Sequence, residues 1–166
     1  MLYYGSVLQS KICSIVAREK KKEEKNMQIF ENQLNLDTYL SLRESVGWKK
    51  LTVEQATFAL ERSLFTVCIC DDKGRPVGMG RVVGDGVVID YFQDIVVRPE
   101  CQGLGVGRKI IECLLGYVKK SKLPDSEIMV CLMCAKGREQ FYEKFGFIPR
   151  PTDKLGPGMI QYIYSN

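Results

Sequence analysis

The chain of 166 residues contains no histidine. That absence excludes Ser-His-Asp and Cys-His nucleophilic catalysis together with every metal site that needs an imidazole ligand, so any acid or base must be Asp, Glu, Tyr, Cys or Lys. No apolar run approaches the roughly 18 residues of a membrane-spanning helix, and no membrane partner is expected. Net charge is also small. The 24 Lys and Arg outnumber the 20 Asp and Glu by a net +4, too mild for a dedicated nucleic-acid binder but favourable to a small anion. Seven cysteines are an odd number without the spacing of a small secreted scaffold. With no signal peptide, they predict a reducing compartment, the cytoplasm. Cys131 and Cys134 have the spacing of a redox pair, yet they lie in or beside the apolar run Ile128 to Met133. That run reads as a buried strand, and the two thiols as core residues.

What is present suits one ordinary globular domain, 45% hydrophobic and 27% charged. Residues 1–26 stand apart. Their charged run, Arg18 to Lys25, reads as a solvated helix or a disordered tail. Met27 is an alternative start, because Lys21 to Glu24 can be encoded by a purine-rich stretch resembling a bacterial ribosome-binding site; a genuine flexible extension fits as well. The domain is expected over 27–166.

From Met27 the punctuation is regular. Asn35 or Asp37 can cap a helix carrying Tyr39, Leu40 and Val46 and closed by Gly47. Thr52 and Gln55 form a capping-box pattern ahead of a second helix. Leu64 to Cys70 is β-like, Asp71 to Gly74 a turn, and Pro76 to Val83 and Val87 to Val97 are strands separated by Gly84-Asp85-Gly86. This is an antiparallel meander. Its last strand runs through Arg98-Pro99-Glu100-Cys101 into Gln102-Gly103-Leu104-Gly105-Val106-Gly107-Arg108 and then an amphipathic helix, with Val106, Ile110, Ile111, Leu114, Leu115 and Val118 on one face. A glycine-rich strand-to-helix turn lets the backbone approach a phosphate while free N–H groups at the helix start point toward it. The third glycine of a dinucleotide fingerprint is missing, since Arg108 stands in its place. The Gly-Lys-Ser/Thr ending of a P-loop is missing too.

The pattern Gln102-x-x-Gly105-x-Gly107 after Val97-x-Pro99 resembles the acetyl-CoA pyrophosphate loop of the GNAT superfamily of N-acetyltransferases. A second segment, Gly137-Arg-Glu-Gln-Phe141-Tyr142-Glu-Lys-Phe145-Gly146-Phe147, looks like that family's other hallmark. Phe141 and Phe145 read most simply as core. The resemblance covers about Met27 to Tyr164, with a closing strand over Met159 to Tyr164 after Gly156-Pro157-Gly158. It implies an α/β, GNAT-like acyl-CoA N-acyltransferase fold: a central mixed, mostly antiparallel sheet flanked by helices. Its strands near Ile95 and Val130 would splay to admit pantetheine.

The resemblance further implies acetyl-CoA as cosubstrate, without a metal. The main chain of Ile95, Val96 and Val97 would bond the pantetheine arm, and Gln102, Gly103, Leu104, Gly105, Val106, Gly107 and Arg108 would hold the phosphates. Acetyl transfer to a primary amine, by direct attack in a ternary complex, needs a base, an oxyanion donor and an acid for the departing thiolate. A backbone N–H at or near Val96 can serve the oxyanion. Tyr142 matches the family's tyrosine acid. The base position of histone-acetylating relatives falls on Tyr91, a departure. Asp94 is the candidate base, beside an ordered water chain or an amine that arrives neutral. Asp90 and Asp94 are expected on one face of their strand, opposite Tyr91 and Gln93, and Glu54 lies in the second helix.

Cys134-Ala135-Lys136 stands where the family often has an asparagine for pantetheine. Trp48 and Tyr39 fall where the family builds its acceptor pocket, although single aromatics there are more often core. The acceptor could be a peptide N-terminus, lysine, a polyamine, an arylalkylamine or an aminoglycoside. Two other readings stay open: a catalytically idle CoA-binding or regulatory domain, and an interaction module with a vestigial fold. A homodimer through the closing strands as an exposed edge fits the sequence.

Overall fold

The computed structural model describes residues 27–163, so the 1–26 extension and Tyr164 lie outside the described residues. The chain divides into two compact units, one reaching Val130 and one beginning at Cys131.

The first unit is a sheet with helices on both faces. Strands β1 (Gln28–Glu31), β2 (Phe65–Cys70), β3 (Pro76–Gly84), β4 (Ile89–Val97) and β5 (Met129–Cys131) lie in the order β1-β2-β3-β4-β5. The pairings β1–β2, β2–β3 and β3–β4 are antiparallel. All six residues of β2 are buried, as its unbroken Phe-Thr-Val-Cys-Ile-Cys run requires of a strand covered on both faces. The β2–β3 turn closes at Gly74, whose φ of 77° no β-branched residue would accept. There Asp71 Oδ1 accepts the amides of Lys73 and Arg75.

Helix α1 (Leu36–Ser45) begins where Asn35 Oδ1 accepts the Thr38 amide at 2.9 Å, and it ends at Gly47 with φ 69°. Its inward face is Tyr39 and Leu42, one turn apart and nearly inaccessible. Helix α2 (Val53–Glu61) opens on the full capping box: Gln55 N donates to Thr52 Oγ1 at 3.1 Å, and Thr52 N to Gln55 Oε1 at 3.0 Å. Two donors that the first turn would otherwise leave unpaired are thereby satisfied, an effect worth about 1 kcal/mol. Tyr39, Leu42 and Ala56 pack with Cys68, Cys70, Met79 and Val96 on one face of the sheet.

The opposite face is covered by α3 (Val106–Ser121), which buries Val106, Ile110, Ile111, Leu114 and Val118 as its spacing predicts. Its close seat depends on two glycines of β3. A Cβ at Gly78 would stand 2.6 Å from Val106 Cγ1, and one at Gly80 would stand 2.7 Å from Ile110 Cγ2. Either methyl would push the helix off the sheet, at about 1–3 kcal/mol of overpacking.

The β3–β4 register shifts between Met79 and Arg81, and Asp94 has a left-handed φ of 52°. This is a β-bulge, in which two residues of β4 oppose one of β3. It overturns the expected pairing of Asp90 with Asp94. Gly78 and Gly80 face α3, so Val82 two residues on does as well. Directly opposed residues share a face, which places Phe92, opposite Val82, and Asp90, opposite Gly84, on the α3 side. The extra residue returns Asp94 to the α1 side beside Gln93. Simple alternation fails there because a bulge consumes one residue without advancing the partner strand.

Burial pushes the Asp90 carboxyl up, and the Asp85 charge adds to the shift. Neither Asp90 oxygen has a hydrogen-bond partner among the described residues. A carboxyl raised above its unfolded value contributes stability that is fully present below the unfolded pKa, near 4. That stability is lost as pH rises through the folded pKa. Asp90→Asn is therefore expected to raise stability at pH 7 by about 1 kcal/mol and to flatten its decline above pH 4. Urea melts of both proteins across pH 4–8 are the check; a variant as pH-dependent as the wild type would contradict it.

In the second unit, α4 (Glu139–Glu143) is short and is followed by Gly146 with φ 88°, whose amide donates to Glu143 O at 3.0 Å. Three expectations for the last third are corrected. The Ile128 to Met133 run yields only three strand residues, and Met129 and Met133 are 58% and 56% exposed. Phe141 and Phe145 are half-buried rather than core, meeting edge-to-face at 5.3 Å. Residues 159–163 form no strand and are all exposed. Their strand propensity is strong, but propensity alone does not make a strand.

Candidate functional site

The expected phosphate loop is built from the end of β4 outward. Arg98 fixes the exit: its amide donates to Val77 O at 2.9 Å, Nε to Pro76 O at 2.8 Å and a terminal nitrogen to Ser41 Oγ at 2.8 Å. A 3-10 turn, Pro99–Cys101, follows, with Cys101 buried beneath the loop and an Arg75 nitrogen 3.6 Å from its sulfur. Burial pushes the Cys101 thiol up, so it packs as a neutral group.

Gly103 and Gly105 then adopt φ of 78° and 86°, turning the chain back toward the start of α3. No side chain caps that start, and no acidic residue lies in its first turn. A Cβ at Gly103 would meet nothing within 4 Å, so the loop's outer side is open. An uncapped N-terminus of a 16-residue helix behind an open glycine turn can take an anion. Gln102, Gly103 and Arg108 are exposed, Leu104, Gly105 and Gly107 half-buried, and Val106 buried. The residues present therefore fit a pyrophosphate gripped by main chain. Gln102 Nε2 donates to Val97 O at 3.4 Å, joining the loop to the strand before it. Ile95 and Val97 are half-buried and Val96 is buried. A cavity of about 450 Å³ opens on the β2–β3 side of the loop, with Val77, Cys101, Leu104 and Val106 among its walls. Ile95, Val96 and Val97 do not line it.

Asp94 lies at the centre of a buried cluster. Oδ2 accepts the Tyr39 hydroxyl at 2.6 Å and Arg81 Nε at 2.9 Å. Oδ1 accepts an Arg43 terminal nitrogen at 2.6 Å and Gln93 Nε2 at 3.3 Å. Both oxygens are occupied by donors, and the residue is 3% exposed. A proton from an amine has no open lone pair to reach, so the arrangement does not suit the general base expected of Asp94. Burial and the bond to Asp94 push the Tyr39 phenol up to about 12. Tyr39 is thus core, whereas Trp48 is 40% exposed. Glu54 is exposed on α2 and takes no part.

Sequence reasoning missed Arg43 and Arg81. A signal existed, since Arg81 and Asp94 are opposite charges inside two consecutive apolar strands, and a buried charge requires a partner.

Tyr142 belongs to the second unit. It is half-buried, edge-on to Phe141 at 5.0 Å and to Phe147 at 6.1 Å. Burial pushes its phenol up, the Cys134 thiol adds to the shift, and the Arg138 charge eases it. Cys131 and Cys134 are half-buried, and burial raises both thiols. A redox pair needs the opposite, a lowered thiol pKa.

Comparison with known proteins agrees with this geometry. A family model described as an acetyltransferase (GNAT) domain matches residues 63–149. The chain is similar to an uncharacterized N-acetyltransferase, ycf52, of Pyropia yezoensis, 28% identical over 140 residues, covering 82% of this chain and 78% of the relative. It also resembles serotonin N-acetyltransferase 2, chloroplastic, of Oryza sativa subsp. japonica, at 33% identity over 111 residues, 64% of this chain and 52% of that protein. Among solved structures, a protein of unknown function from meticillin-resistant Staphylococcus aureus, described as a probable acetyltransferase, superposes with a TM-score of 0.70 at 34% identity, covering 82% of this chain and 99% of that one. A sheet with helices on both faces, a β4 that leads through two left-handed glycines into an uncapped helix, and these matches together make the chain a member of the GNAT acetyltransferase superfamily.

Proposed function

We propose that the protein transfers the acetyl group of acetyl-CoA to a primary amine by direct attack in a ternary complex. The observation that carries this reading is the open turn at Gly103 and Gly105 leading into the uncapped start of α3. Gln102, Gly103, Leu104, Gly105, Val106, Gly107 and Arg108 would hold the pyrophosphate, mostly through main-chain N–H groups, and Ile95, Val96 and Val97 would bond the pantetheine arm. The cosubstrate supplies an activated thioester. Tyr142, held protonated by burial, is the acid for the departing thiolate. A β4 main-chain N–H near Val96 is the oxyanion donor. With both Asp94 oxygens occupied, the amine proton passes to water or the amine arrives neutral.

For the acceptor we place arylalkylamines first. The rice relative is named for serotonin, and Trp48 offers an exposed aromatic surface beside the Arg43 guanidinium, 5.1 Å from its ring centre. The cytoplasm remains the proposed compartment, on cysteine usage. Neither nucleic acid nor membrane is among the proposed partners.

The experiment is a panel of arylalkylamines, polyamines, aminoglycosides, lysine and peptide N-termini incubated with acetyl-CoA and read by mass spectrometry, since seven cysteines would confound thiol reagents. Protein-dependent gain of one acetyl group by an amine is expected, arylalkylamines first. Tight acetyl-CoA binding with no transfer to any class would instead support an idle CoA-binding domain.

A further inference from the structure

We propose that Asp94 is a positioning residue that ties the loop at residues 46–50, on the acceptor side, to the strand edge that takes the pantetheine arm. This rests on the function proposed above for that edge.

Asp94 immediately precedes Ile95, at the β4 bulge, in a backbone conformation uncommon for a residue with a side chain. The bulge turns its carboxylate away from the α3 face and into the space between β3 and α1. Each arginine it holds has a further engagement. A second Arg43 nitrogen donates to Lys49 O at 3.4 Å, and the guanidinium lies 5.1 Å from the Trp48 ring centre and 5.6 Å from that of Tyr39. An Arg81 nitrogen donates to Ala59 O at 2.6 Å and to Ser63 Oγ at 2.8 Å, satisfying a carbonyl in the last turn of α2. One carboxylate thus organises the cofactor strand, α1, the loop beyond it and the end of α2. Apolar residues packed in place of the whole ionic cluster would serve stability as well as the charges do. What the charges add is direction, since each forked guanidinium fits one orientation. Shared by two sites, that direction sets where an amine held near Trp48 meets a thioester carried along β4.

Trp48 is the sole tryptophan, so its emission reports this loop without any ligand. Asp94→Asn keeps the side chain's shape and tolerates the left-handed backbone, but loses the charge that orients both arginines. The folded variant is expected to show shifted Trp48 emission, roughly tenfold or greater weakening of acetyl-CoA binding by calorimetry, and an acceptor KM that rises more than kcat falls, as misplacement predicts. The acidic limb of its pH–rate profile stays in place. Arg43→Lys, which keeps the charge but not the fork, is expected to move the same quantities less, and it replaces Asp94→Asn if that variant does not fold. Leu42→Val thins the α1 core without touching the carboxylate; as the stability control it should leave emission, affinity and KM at wild-type values.

A kcat collapse with a displaced acidic limb and unchanged KM and emission would make Asp94 the base and overturn the proposal. So would wild-type emission, affinity and KM in Asp94→Asn, or equal shifts in Leu42→Val. If wild type binds no acetyl-CoA, the proposed function fails, whereas the emission comparison still decides whether Asp94 holds the loop.

Discussion

Gly105→Glu is expected to abolish measurable acetyl-CoA binding in a chain that still folds. Gly105 sits at the cap of α3 with φ 86°, where any side chain is strained. The new carboxylate would stand at the helix start, the place proposed for the pyrophosphate, replacing attraction to the helix dipole with repulsion between anions. A loss of about 3 kcal/mol, roughly two orders of magnitude in affinity, is the minimum expected. Circular dichroism and thermal melting establish that the variant is folded, and calorimetric titration reads the affinity. Full-strength binding by folded Gly105→Glu would remove the loop from the site.

Tyr142→Phe is expected to lower kcat by about 10² to 10⁴, the range for one general acid, while acetyl-CoA affinity stays within a few-fold. Only the hydroxyl is removed, and the ring contacts to Phe141 and Phe147 can persist. The pH dependence has a definite sign. The acid must be protonated to act, so activity falls as pH rises through its pKa. Burial and the Cys134 thiol place that pKa above the ordinary tyrosine value of about 10. The alkaline limb assigned to Tyr142 should therefore lie beyond pH 10, and rates should not decline through neutrality on its account. Single-turnover rates over the alkaline range provide the check. An unchanged kcat in Tyr142→Phe would assign the acid elsewhere.

Sequence alone disclosed the features whose signals are local. The Asn35 cap, the Thr52–Gln55 box, the turn at Gly74 and the helix starting at Val106 each follow from neighbouring residues, and each is present. The glycines of the turn into α3 were legible for the same reason. What escaped depends on contacts distant in sequence. At the bulge a carboxylate in β4 meets an arginine of β3 and another of α1. Alternation read along one strand therefore assigned Asp90 and Asp94 to the same face. Gly78 and Gly80 looked like ordinary strand residues until the close approach of α3 gave them a purpose. Residues 159–163 had the composition of a strand, but composition supplies no partner.

The most direct test is calorimetric titration of the folded wild-type chain with acetyl-CoA. Saturable one-to-one binding, carried by the Gln102 to Arg108 loop, is the expected result. A folded chain that releases no heat of binding would contradict the acetyltransferase reading at its foundation and favour an interaction module built on the same fold.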